Sequence, residues 1–218
     1  MQTSKSTTRI ISISFFTLAL LGCQSAYYGA LEKVGIHKRD VMVSRVESAN
    51  ETQLEAKQQF QTALQKFKSV RQFNGGNLEN IYETLNDEYE TSAALADKIN
   101  SRINDIESVS DALFEEWEKE LSEYTSESLK QKSAQQLTKT KSQYRRLIRA
   151  MKNAETSMKP VLNVFKDQVL FLKHNLNAQA IASLKGELNN IESNVATLIK
   201  QMNKSIDEAN QFIKTMSQ

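Results

Sequence analysis

The side chains that could carry chemistry are few: one cysteine, Cys23, two histidines, His37 and His174, and a dense set of carboxylates between Glu79 and Glu127. A metal site of the helical-bundle kind needs Glu-x-x-His pairs turned to a shared core. Here Val34 stands three residues before His37 and Phe171 three before His174, so no metal ligand is assigned. Carboxylates do acid–base work only where two converge in a concave pocket, and a helical repeat leaves them on solvated faces. Gly75-Gly76 lacks the GxxxxGK frame of a phosphate loop and reads as a turn. No catalytic residue and no cofactor is assigned, and the chain reads as a non-enzyme.

The lone thiol cannot form an intramolecular disulfide, and its setting points to another use. Lys5 and Arg9, with no acid nearby, precede a mostly apolar run from Ile10 to Leu21, IISISFFTLALL. Such a run has the size of a signal peptide's apolar segment, well short of the roughly 20 residues that span a bilayer. It ends in Leu20-Leu21-Gly22-Cys23, which resembles a bacterial lipobox, although Leu21 is larger than the residue usual there. The resemblance implies that residues 1–22 are removed by cleavage between Gly22 and Cys23, with lipid on the Cys23 thiol and acylation of the new amino terminus. Each buried CH₂ contributes about 0.8 kcal/mol, so several acyl chains make a lasting membrane anchor. In Gram-negative lipoproteins, which this segment resembles, the residue after the cysteine directs sorting. Gln24 implies the periplasmic face of the outer membrane.

Such an anchor needs a body. The chain has 1 Pro and 6 Gly in 218 residues, where average usage would supply roughly 11 and 15. It is rich in Ala, Leu, Gln, Glu, Lys and Ser, so helices are expected and strands are not. Residues 23–40 read as a lipid-anchored tether, in which Tyr27 and Tyr28 either sit at the headgroup level or dock on the body. Over residues 41–218, apolar positions alternate by three and four, the signature of an apolar seam on packed helices. The first seam runs Met42, Val46, Ala49, Gln53, Ala56, Phe60, Ala63, Phe67, Val70 and stops at Asn74-Gly75-Gly76-Asn77, a helix end followed by an N-cap. Later seams run from Leu78 to Leu121, from Leu137 to Leu172 and from Ile181 to Met216. Pro160 should kink the third helix. One reversal is expected at Tyr124–Ser128. A second is expected at His174-Asn175-Leu176-Asn177, because an unbroken helix from 128 to 216 would leave half its seam unpartnered. The spacing predicts helices at about 41–73, 78–123, 127–174 and 178–216. They form an all-α, elongated antiparallel bundle of up-down-up-down, coiled-coil-like design.

Charge bears on how the helices pair. Removing Lys5 and Arg9 from 28 basic residues leaves 26 against 26 acids, so no global basicity calls for nucleic acid, and no nucleic-acid partner is expected. Fifteen acids and three bases lie between Glu79 and Glu127, while Ser128 to Ala154 holds eight bases and no acid. Folding back near Ser126 predicts Asp111 beside Lys141 and Glu107 beside Arg145. Exposed pairs of this kind contribute about 0–1 kcal/mol each but select register.

Tyr27 to Asp40, YYGALEKVGIHKRD, and Asp167 to Glu187, DQVLFLKHNLNAQAIASLKGE, resemble an uncharacterised bacterial lipoprotein family, DUF2959-like, as do FNGG at 73–76 and LFEEWEKEL from Leu113. The resemblance implies an envelope location and helical character, and it brings no activity or site residues with it. The polar cluster His174, Asn175 and Asn177 is the candidate for a specific partner contact. Two functions compete. One is a non-enzymatic envelope scaffold or spacer, acting through a protein partner or self-association. The other is a periplasmic binding module holding a lipid or cell-wall ligand between helices.

Overall fold

Four sequence signals set where the chain starts and stops its helices. Gly75 and Gly76 adopt φ of 124° and 141°, a region that side chains with a Cβ rarely enter. Asn77 then accepts a hydrogen bond from the Glu79 backbone N–H, at 2.9 Å. Ser126 caps the next helix through the Leu129 N–H, at 3.4 Å, and Asn177 caps the last through the Ala180 N–H, at 3.1 Å. The computed structural model describes residues 27, 28, 31, 35–73 and 75–217. The expected signal peptide, the Gly22–Cys23 cleavage point, the lipidated Cys23 and the turn residue Asn74 lie outside the described residues.

The helices are α1 (Lys38–Ser69), prolonged by a 3₁₀ turn at Val70–Gln72, α2 (Leu78–Glu120), α3 (Glu127–His174) and α4 (Ala178–Met216), with no strand among the described residues. α1 packs on α2 and α4, and α3 packs on the same two. This is the expected up-down-up-down bundle, and α3, 48 residues long, spans roughly 70 Å. Two boundaries differ from expectation. α1 begins three residues earlier, inside the segment read as tether, and α2 ends at Glu120 in a hydrogen-bonded turn rather than running to residue 123. α3 continues through Pro160 as one unbroken helix.

Every position of the first seam, from Met42 to Val70, is buried, and so is every position of the last, from Ile181 to Met216. α1 alternates large and small seam residues, with Ala49, Ala56 and Ala63 between bulkier neighbours. The small positions let the other helices approach, and the large ones cross the core. Phe67 stacks on Phe165 of the diagonally placed α3, at 4.4 Å between centroids and 9° between planes, and Phe60 lies 6.5 Å from the same ring. The ring is closed between α1 and α4 at both ends. The Arg39 guanidinium donates to the Met216 carbonyl, through Nε at 2.8 Å and also through Nη2, a cation at the negative end of a helix. Arg71 meets Glu192 at 3.1 Å.

One seam residue is out of character. Gln53 is fully buried, and neither its amide oxygen nor its nitrogen has a hydrogen-bond partner among the described residues. An unpaired buried amide costs stability. Gln53→Leu should therefore raise the urea midpoint, by about 1–3 kcal/mol in unfolding free energy; a lowered midpoint would mean that the amide is satisfied in solution. Phe165→Ala, which removes the ring both α1 phenylalanines touch, should lower stability by about 3–5 kcal/mol, and a loss below 1 kcal/mol would count against the diagonal contact.

Candidate functional site

The turn between α3 and α4 carries the three residues singled out for a partner contact. His174 is the last residue of α3 and is exposed. Asn175 occupies the C-cap, and its Nδ2 donates to the Phe171 carbonyl at 3.0 Å. Asn177 spends its side-chain oxygen on the α4 cap. The two asparagines thus have local structural work, and of the three only His174 carries a side chain not engaged in the turn's capping. Around them lies what the seam reading missed. Leu170, Phe171 and Leu176 are large, apolar and 46, 39 and 45% exposed. The signal was present in the sequence, since Leu170 and Phe171 fall between seam positions Val169 and Leu172 and must face outward.

Two grooves on this end flank Phe73. One, of about 460 Å³, runs between the glycine turn and the start of α4, with Leu78 and Ile181 in its walls and Lys185 at its rim. Lys185 Nζ donates to the Phe73 carbonyl at 3.2 Å. At the opposite end a groove of about 420 Å³ opens where α1 and α4 stop short of the α2–α3 turn, between Trp117, Leu113, Arg39 and Met216. There Trp117 Nε1 donates to Ser133 Oγ at 2.8 Å and clasps the hairpin. Among the described residues no group of three His, Cys, Asp or Glu side chains is placed to hold a metal ion. Nor is any helix among them long and apolar enough to cross a membrane.

Tyr27 and Tyr28 lie toward this opposite end. Tyr28 is 2% exposed and its hydroxyl lies 3.2 Å from Ser108 Oγ on α2. Tyr27 packs edge-on against it but stays half exposed. Of the two roles open to these tyrosines, Tyr28 takes docking on the body. Lys38 pairs with Glu116 at 2.8 Å, fixing the first turn of α1 beside the last turns of α2.

Opposite charges do meet across α2 and α3, but not in the expected register. Lys141 pairs with Glu118 rather than Asp111, and Glu107 pairs with Lys152, at 2.6 Å, rather than Arg145. Both partners are displaced by seven residues, one heptad. Helical side chains lean toward their own N-terminus, which is away from the turn on α2 and toward it on α3, so each α2 acid meets an α3 base lying farther from the turn than a simple fold-back places it. Arg146 turns instead to Glu208 on α4, at 3.7 Å. The pair between Lys152 and Glu107 holds the ammonium above its ordinary range, chiefly through the hydrogen bond. Half-buried Tyr144 is raised chiefly by burial; a hydrogen bond to Ser110 opposes this, and the Glu107 and Asp111 carboxylates add to it.

The fold and its surface define a class first: an elongated, antiparallel four-helix protein whose interior is packed and whose distinctive groups lie on outer faces and at the two ends. Within that class, the chain belongs to the uncharacterised family described as protein of unknown function, DUF2959, whose sequence profile matches residues 27–216. The match takes in Tyr27 and Tyr28 together with all four helices. No curated protein and no solved structure matches the chain.

Two predictions test this surface. Both raised groups keep their protons longer in the folded chain than in the unfolded one. Their contribution is complete below the ordinary values near pH 10 and is lost as pH climbs through the folded values. Unfolding midpoints in urea should therefore drop as pH climbs above about 10, and Tyr144→Phe should flatten that drop; an unchanged slope would remove Tyr144 from the account. Lys141→Glu with Lys152→Glu should lower the melting temperature, and adding Glu118→Lys with Glu107→Lys should restore part of it. Recovery instead by Asp111→Lys would favour the other register.

Proposed function

We propose that this protein is a non-enzymatic envelope lipoprotein. Lipid on Cys23 holds it to the periplasmic face of the outer membrane, and its helical rod acts as a scaffold or spacer that presents surfaces to protein partners or to further copies of itself. The observation that carries the reading is the docking of Tyr28 on Ser108. Tyr28 stands five residues after Cys23, so an extended segment between them spans at most about 18 Å. An acylated Cys23 would therefore hold the α2–α3 turn end of the rod close to the bilayer, with the glycine turn and the α3–α4 turn projecting away. The packed apolar seams, with no buried carboxylate, cation or histidine among the described residues, favour a mechanical or binding role over chemistry.

A second reading, a binding module for a lipid or cell-wall fragment, draws support from the groove between Phe73, Leu78 and Ile181, with the cationic Lys185 at its rim. Apolar walls with one charge at the mouth suit an anionic amphiphile. The experiment for the leading reading is metabolic labelling with radioactive palmitate followed by fractionation. Wild-type chain should carry label and pellet with outer membranes, whereas Cys23→Ala should lose both. A water-soluble, unlabelled wild-type product would end the proposal. Organic extraction of the purified chain addresses the second reading: a stoichiometric lipid, lost on Lys185→Glu, would favour binding.

A further inference from the structure

The outer rims of the α2–α3 groove carry two series of charge at seven-residue spacing. On α2 the acids are Glu83, Glu90 and Asp97 and, beyond the uncharged Asn104, Asp111, continued by Glu118. On α3 the bases are Arg145, Lys159, Lys166 and Lys173, interrupted only by Lys152, itself a base. A seven-residue step returns to nearly the same side of a helix. Because Glu118 and Lys152 both reach across this groove in ion pairs, each series runs along it. The remaining eight members are exposed, and none makes an ion pair among the described residues.

Height along the rod is fixed by the contacts between the two helices. Asn100 Nδ2 donates to Glu155 at 2.5 Å, and Glu107 meets Lys152. Counting outward from these, Asp97 stands level with Lys159, Glu90 with Lys166, Glu83 with Lys173 and Asp111 close to Arg145. One face of the rod thus presents an acidic rim and a basic rim matched level for level.

We infer that two copies of this chain associate through the α2–α3 face, standing the same way up, about a two-fold axis parallel to the rods. That rotation sets the acidic rim of each copy against the basic rim of the other, at equal heights and twice over, as an isologous contact requires. An inverted copy would set acid against acid. A uniformly charged polyanion would meet the acidic rim as well as the basic one and be repelled by half of the face. Leu170, exposed on α3 between Lys166 and Lys173, supplies apolar contact on the same side. Parallel copies put both N-terminal segments at one end, as two anchors in one bilayer demand. The inference deepens the scaffold reading, and it fails separately from the anchor.

The test uses full-length chains co-expressed in cells, one with Glu90→Cys and one with Lys166→Cys, carrying tags of different size. Mild oxidation should give a reducible heterodimer joining the two variants. Adding Glu83→Lys and Asp97→Lys to the first chain should weaken that band by about tenfold. Adding Lys159→Glu and Lys173→Glu to the second should bring it back, which also shows that both altered chains fold. Absence of the heterodimer, a predominant Glu90→Cys homodimer, or a band indifferent to charge reversal would each overturn the inference. Palmitate labelling of the same samples separates the two claims. Label without crosslink removes the dimer alone, and crosslink without label removes the anchor alone.

Discussion

Each helix of this chain has a single apolar seam, and that limitation governs the rest of the structure. A seam of three-and-four spacing covers only part of a helix's circumference, so burying it takes contact from two sides. Four seams satisfy one another by closing into a ring, with α1 and α3 each held between α2 and α4. A two-helix arrangement would leave part of every seam wet, and a single rod through the α3–α4 turn would leave half of two. The small residues at 49, 56 and 63 and the rings at 60, 67 and 165 show how the ring is filled: side chains of α1 reach the diagonal helix directly. Of the cavities described, those at the two ends arise where one pair of helices outruns the other or where a turn without side chains leaves a gap.

Polar residues inside the ring differ in how their hydrogen-bonding groups are accommodated. Gln53, Ser92, Thr140 and Ser205 are all fully buried. Ser92 spends its hydroxyl on the Glu88 carbonyl at 2.7 Å, a local bond that leaves the core undisturbed. Gln53 has no such outlet. A lone amide in an otherwise apolar seam weakens the assembly, yet a seam polar residue can discriminate between otherwise equivalent heptad alignments. That matters in a bundle whose repeats would otherwise slide by seven residues at little cost. The Arg39–Met216 contact works to the same end from outside, since a guanidinium fixed on the last carbonyls of α4 fits one alignment of α1 only.

How far the sequence could be read follows from the range of each interaction. Seams and caps are local, and they were legible: Asn77 caps where it was placed, and the α3–α4 reversal occurs where an unbroken helix would have stranded its apolar positions. Helix pairing by charge was legible in sign but not in register, because the lean of side chains along antiparallel helices is a three-dimensional effect absent from a fold-back count. Tyr28 shows a third limit. Its two possible environments, headgroup or helix surface, suit a phenol equally well, and only the position of Ser108 decides between them. The asparagines at 175 and 177 looked like recognition groups because they are polar in an apolar chain, but a turn needs the same groups, and the exposed Leu170 and Phe171 beside them are the less easily explained residues.

The interior of this bundle is packed with apolar side chains. Here the outside is not uniform. Acids are gathered on one helix and bases on its neighbour in a chain whose expected mature part is neutral overall, and charges distributed at random would not repeat every seven residues. Repetition at heptad spacing keeps a charge on one side along most of the rod, and placing the opposite sign on the adjacent helix makes the face self-complementary rather than attractive to all anions. Such an arrangement contributes little to the monomer, where exposed pairs are screened by water and salt. Its physical effect appears when a second surface excludes that water, so the separation of charge between α2 and α3 is better explained by contact between molecules than by the stability of one.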